Sequence, residues 1–205
     1  MERTALVKNQ KPLPDELRTE LIRKSVHILI AAVPSMTAFF GTAVTLGILA
    51  TGILLYTTAE ALRQCGRFVP IITHITQVSS RSREVDHFVL GPVTLGIGAM
   101  LAIMLYPHPA ASIAVYALAF GDSAASVAGK FLGTLTIPLT GGKTLAGSLA
   151  CTVAVALTVA VMLQGRVFTA LTLGVAAALL EALPTRDADN LLLPVGVGLA
   201  ATLIL

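Results

Sequence analysis

The chain has 205 residues and a mass of 21.2 kDa, with 55% apolar residues, 12% charged residues and a mean hydropathy of +0.84. Soluble globular domains carry about 25% charged residues, so too little charge is present to cover a water-facing surface; disorder and collagen-like repeats are excluded by the same counts. These numbers predict an all-α, polytopic integral membrane protein.

Residues 1–24 are charged and polar, without the apolar core of a cleavable signal, and read as a cytoplasmic amphipathic segment ahead of a membrane domain over 25–205. Residues 25–59 and 87–121 contain no Asp, Glu, Lys or Arg. Each run is nearly two crossings long at about 20 residues per crossing. Turn chemistry sits near the middle of each, at Phe40-Gly41-Thr42 and at Pro107-His108-Pro109. With the later apolar runs, seven spans are expected: 25–40, 43–62, 89–106, 110–131, 145–163, 167–183 and 190–205. The last is short enough that six spans and a partly inserted tail is the alternative.

Seven alternating spans put 13 of the 14 Lys and Arg residues on one side, leaving only Arg166 on the other. The positive-inside rule makes the crowded side cytoplasmic, with the N-terminus there. The acids follow the same geometry, so chemistry is expected at the cytoplasmic face. The net charge of +3 is explained by this topology and by anionic lipid, and is no nucleic-acid signature. Cys65 and Cys151 sit in unlike places and suggest neither a disulfide nor a metal knot.

Five clusters carry potential chemistry. Arg23, Lys24 and His27 stand where the N-terminal segment enters span one, and Arg23 and His27 share a helix face. They suit a phosphate, or a basic stop-transfer cluster. Glu60 and Arg63 end span two at a spacing that allows an ion pair. In span four, Gly121, Ala125, Gly129 and Gly133 form a bare ridge, and Asp122, Ser126 and Lys130 a polar line beside it. The ridge fits close helix packing, which does not explain Asp122: an acid inside a membrane helix needs a partner, a metal ion or a proton-transfer role. Thr140-Gly141-Gly142-Lys143-Thr144, followed by Gly147 and Ser148, opens span five as a candidate phosphate cradle of backbone N–H groups, helix dipole and ammonium. It is not a Walker A loop, because Ile137 stands where that motif needs glycine. Glu181, Asp189 and Asn190, between spans six and seven, offer oxygen ligands to a hard cation such as Mg²⁺, or cap helices. Gly196-x-Gly198-x-x-Ala201 lacks a surrounding βαβ unit and is set aside as a dinucleotide fingerprint.

Together these clusters resemble the CTP-dependent lipid-alcohol kinases (dolichol kinase, phytol kinase and the CTP-dependent diacylglycerol kinase) and, more distantly, phosphatidate cytidylyltransferase. The resemblance runs from about Leu17 to Pro194. The family's CTP-binding pattern falls on Asp122, Ala125, Gly129, Gly133, Lys143, Thr144 and Gly147 with the right spacing. Gly142 stands in place of a lysine and Ala146 in place of a glutamate, which bears on metal binding and nucleotide preference.

The resemblance implies transfer of the γ-phosphoryl group of CTP, with Mg²⁺, to a membrane lipid alcohol such as a polyprenol, phytol or diacylglycerol. Asp122 and Lys143 are then the catalytic candidates, and Asp122, Glu181 and Asp189 the metal ligands. Gly121, Ser126, Gly129, Gly133, Thr144, Gly147, Ser148, Arg23, Lys24, His27, Glu60, Arg63 and Asn190 are the nucleotide-site candidates. The alternatives are cytidylyl transfer to phosphatidic acid, or a transporter or scaffold without catalysis. A homodimer is left open.

Overall fold

The computed structural model describes residues 14–67, 87–185 and 188–205. Of the charges used to orient the chain, Arg3, Lys8, Lys11, Arg81, Arg83 and Arg186 lie outside the described residues, as does the N-terminal segment before residue 14.

Among the described residues the fold is all-helical, with a single isolated bridge between Thr136 and Thr144. In chain order the helices are α1 (Pro14–Leu29), α2 (Val33–Phe40), α3 (Thr42–Gln64), α4 (Gly91–Leu105), α5 (Ala110–Tyr116), α6 (Asp122–Phe131), α7 (Leu145–Met162), α8 (Val167–Glu181) and α9 (Asp189–Ile204). Three helical stretches are long and apolar enough to cross a membrane: Thr42–Gln64, Ala110–Phe131 and Leu145–Met162. Gly91–Leu105, Val167–Glu181 and Asp189–Ile204 are shorter apolar helices.

The breaks have local causes. Gly41 takes φ 80 between α2 and α3, a backbone geometry that a side chain resists. Pro107 and Pro109 separate α4 from α5. The expected span 25–40 is not one helix: α1 starts earlier, and a 3-10 turn at Ile30–Ala32 separates it from α2. Pro34 lies at the start of α2, and its missing N–H leaves the carbonyl of the preceding turn without its helical donor.

Residues 110–131 form the centre of the bundle. Their helix is 72% buried over its apolar window, against 11% for α3 and 28% for α7. Small side chains allow this, since Ala110, Ala111, Ser112, Ala114, Ala117 and Ala119 let neighbours close in. One side of the central helix joins α7, α8 and α9 in a core built on Ile113, Val155, Leu173 and Val197. The other side meets α2 and α4 through Val33, Ala99, Ala102 and Val115. Midway, residues Ala117–Gly121 form one π-helical turn. Such turns recur at functional sites because the extra residue rotates everything beyond it. Asp122 is the first residue after this turn.

The glycines set aside as a fingerprint are packing devices. A Cβ on Gly198 would overlap the Tyr106 ring, and one on Gly196 would lie 2.6 Å from Leu180. The Tyr106 hydroxyl donates to the Val195 carbonyl at 2.6 Å, fixing α4 to α9.

Candidate functional site

The first element of the site is α1, whose faces are inverted for a soluble helix. Glu20, Lys24 and His27 are only 2–3% exposed, while Leu21, Ile28 and Leu29 point outward. The buried residues recur at i, i+4 and i+7, one helix face. That face lies against the π turn and α6. Lys24 donates to Asp122 Oδ2, and His27 Nδ1 approaches the same oxygen at 3.0 Å, close enough for an ion pair though not aligned as a hydrogen bond. Glu20 accepts from Arg23 Nη2 at 2.6 Å and from Lys130 Nζ at 2.7 Å. Burial pushes the Lys24 ammonium below its ordinary pKa, against the upward pull of Asp122. Ser126 lies half-buried on α6 between Asp122 and Lys130.

A second part of the site joins α7 to the end of α8, where Lys143 donates to the buried Glu181. Gly121, beside Asp122, packs against Val155 and Cys151 of α7, and Gly129 and Gly133 pack against Thr144, the neighbour of Lys143. The two parts are therefore neighbours at one end of the bundle. Asp122 stands nine residues before the end of α6, about 13 Å deep along the helix.

Several sequence expectations change. The small-residue ridge, whose glycines are also nucleotide-site candidates, serves helix packing, because α7 lies directly against it. A Cβ on Gly121 would meet Val155 at 2.8 Å, and one on Gly129 would meet Thr144 Oγ1 at 3.0 Å. One on Gly133 would overlap the Gly129 carbonyl, and one on Gly147 would come within 2.8 Å of the Ala125 carbonyl. Part of the N–H cradle at the start of α7 is already used. Thr144 is the N-cap: its hydroxyl accepts from the Gly147 N–H at 3.2 Å and its carbonyl from the Ser148 N–H at 3.0 Å. The Ser148 hydroxyl is buried there without a hydrogen-bond partner, while the Lys143 ammonium is engaged by Glu181.

Asn190 serves as a strut. Its amide nitrogen donates to Thr94 Oγ1 at 2.9 Å and to the Gly91 carbonyl at 3.4 Å, tying α9 to the start of α4. Asp189 Oδ1 accepts from the Asn190 N–H at 2.9 Å. Glu60 and Arg63 form a separate centre. Arg63 donates twice to Glu60, at 2.8 and 2.7 Å, and once to the His87 carbonyl at 2.9 Å. Glu60 also accepts from the Val89 N–H at 3.0 Å. This clamp sits where α3 packs on α4, and α3 makes no substantial contact with α6 or α7.

Glu20 and Lys130 belong to the Asp122 network, although only their spacing announced it. Glu20 lies four residues before Lys24 and seven before His27; Lys130 lies two turns after Asp122. The π turn had no sequence signal.

Among the described residues no group of three His, Cys, Asp or Glu side chains comes together as a metal cage. Asp122, Glu181 and Asp189 thus do not share one ligand set in this conformation. Mg²⁺ commonly binds one or two carboxylates together with substrate phosphates, and this donor set fits that use. Arg23 Nε, Ser123 Oγ and Ser148 Oγ are buried polar atoms without a hydrogen-bond partner, the kind of donor an oxyanion satisfies. Compared with family models, curated proteins and solved structures, the chain finds no match.

Proposed function

We propose that the chain is a CTP-dependent lipid-alcohol kinase of the membrane, with about seven spans, its N-terminus and its site facing the cytoplasm. The observation that carries this reading is the charged network on the central helix: Asp122 buried between Lys24 and His27, with Glu20, Arg23 and Lys130 beside it and Lys143–Glu181 adjoining. Burying several charges in an apolar bundle is costly, and side chains kept there usually serve a reaction or a transport path. The network runs from the end of the bundle at Lys143 and Glu181 inward to Asp122, about 13 Å along α6, so an aqueous nucleotide would enter from that end and a bilayer alcohol from the side.

In this reading the lipid hydroxyl oxygen attacks the terminal phosphorus of CTP. The new P–O bond forms as the bond to CDP breaks, and the hydroxyl proton leaves to a base. Phosphoryl transfer depends mainly on positioning and on neutralising charge. Arg23, Lys24, Lys130 and Lys143 are the available cations, yet they are matched by Glu20, Asp122 and Glu181. A triphosphate therefore enters most easily with a divalent cation, which meets the carboxylates while the phosphates take over their cations. Mg²⁺, when bound, supplies neutralisation of the phosphate oxygens. Asp122 has two roles open to it, metal ligand and proton acceptor. A magnesium titration of Asp122→Asn separates them.

The deciding assay uses purified protein, radiolabelled CTP with Mg²⁺, and a panel of polyprenols, phytol and diacylglycerol. A labelled lipid phosphate with CDP as the second product is expected. A CDP-lipid and pyrophosphate from phosphatidic acid would replace the kinase reading with cytidylyl transfer. Lack of any thermal shift with CTP and Mg²⁺ would leave a transporter or scaffold.

A further inference from the structure

The connection between α6 and α7 was expected to stand in the cytosol, but its structure has a different character. Residues 132–144 fold as an irregular hairpin: the Ile137 N–H donates to the Lys143 carbonyl at 2.8 Å, and the Leu145 N–H to the Leu135 carbonyl at 3.0 Å. On one side the hairpin is anchored to the bundle. Lys143 is bound to Glu181, and Gly141 lies against Pro184. On the other side Leu132, Leu135 and Leu139 are exposed, Leu139 by 96%. Leu139 also holds φ 67, a left-handed conformation that is unfavourable for a bulky side chain. Between Phe131 and Thr144 the only charged residue is Lys143. Water gives no reason to hold a leucine outward in a strained conformation on so uncharged a loop.

Helix lengths give a reason. The 18 residues of α7 span about 27 Å, and the 15 of α8 and 16 of α9 about 22 and 24 Å. A bilayer hydrocarbon core is about 30 Å thick. The helical stretch that enters the hairpin, Ala110–Phe131, is about 33 Å long and spans such a core, whereas α7, which leaves it, falls slightly short, so the hairpin between them stands at the boundary of the core. The outer face of α7 carries an unbroken apolar line, Leu145, Leu149, Val153, Leu157 and Val161, all exposed and four residues apart. Leu135, hydrogen-bonded through its backbone to Leu145, continues that line beyond the helix.

We infer that the hairpin is a membrane-docking element whose Leu132, Leu135 and Leu139 lie in the acyl–headgroup boundary of the bilayer, setting Lys143 at headgroup depth. The docking does not depend on the proposed reaction. Its consequence for catalysis rests on that reading: a lipid alcohol would meet Lys143 without leaving the membrane.

The chain contains no tryptophan, so Leu139→Trp or Leu135→Trp introduces a unique reporter. In phosphatidylcholine vesicles brominated near the top of the acyl chains, both variants should show blue-shifted emission strongly quenched by the bromolipid and little affected by aqueous iodide. Quenching by iodide with none by bromolipid, in both variants, would overturn the docking. For the consequence, Leu135→Ser with Leu139→Ser should lower kcat/KM several-fold for a long-chain alcohol in vesicles and leave a short water-soluble alcohol unaffected. An equal fall for both alcohols would reject the coupling. An unaltered chain that makes no lipid phosphate would reject the proposed function, while the fluorescence still decides the docking.

Discussion

Among the described residues, two buried polar centres differ in completeness. At Glu60, fully buried, the carboxylate is met by two donors from Arg63 and by the Val89 N–H, and Arg63 also holds the His87 carbonyl. At Asp122 the carboxylate is held by Lys24 with His27 alongside, and Arg23 Nε, His27 Nδ1 and Ser123 Oγ are buried without a hydrogen-bond partner. A satisfied centre fixes geometry; one with donors to spare is arranged for a guest. The comparison separates a clamp built from one short stretch of acid and base from a site assembled across the chain.

Five substitutions break or sharpen this contrast. The largest effect is expected from Glu60→Ala, which takes the carboxylate away from the half-buried Arg63 and leaves the Val89 N–H unpaired. Removing one partner of a buried pair costs about 3–5 kcal/mol, and thermal unfolding in detergent should register a loss on that scale. Asp122→Asn and Lys143→Ala also unpair a buried charge and so cost stability, but the protein that remains folded should form lipid phosphate at least ~10²-fold more slowly, the scale of one electrostatic contact in a transition state. Near-normal turnover in both would remove Asp122 and Lys143 from the chemistry. Gly147→Ala presses a methyl group towards the Ala125 carbonyl, 2.8 Å away, where only backbone can yield. A destabilisation of about 1–3 kcal/mol is expected, and an unchanged melting temperature would show that α6 and α7 are less tightly packed than described. The smallest effect is Thr144→Ala, which deletes the α7 N-cap and should cost about 1 kcal/mol. A much larger loss of activity than of stability there would assign Thr144 to substrate as well.

The helix positions were legible because apolar runs and turn residues act locally. Gly41, Pro107 and Pro109 end helices whatever surrounds them, and α3 to α9 fall close to the expected ranges. The interruption at residues 30–32 was missed although Pro34 was in view, because prolines near a helix start are tolerated as often as they break it. Site residues were legible as candidates but not as partners. Lys24 and Asp122 are 98 residues apart, and Lys143 and Glu181 are 38. Glycine spacing was ambiguous for a physical reason: a bare ridge admits a phosphate or a neighbouring helix equally well, and here α7 takes it.

Composition alone determined that this chain is helical and apolar beyond what a soluble domain tolerates, because the balance of charged and apolar side chains is a property of the whole chain. The order of its helices followed from residues acting on their immediate neighbours. Which charges meet, and which ones are left with donors to spare, was decided only by the tertiary structure. Side-chain pairing across helices depends on the rotation of each helix about its axis, and the π turn ahead of Asp122 sets that rotation without any mark in the sequence.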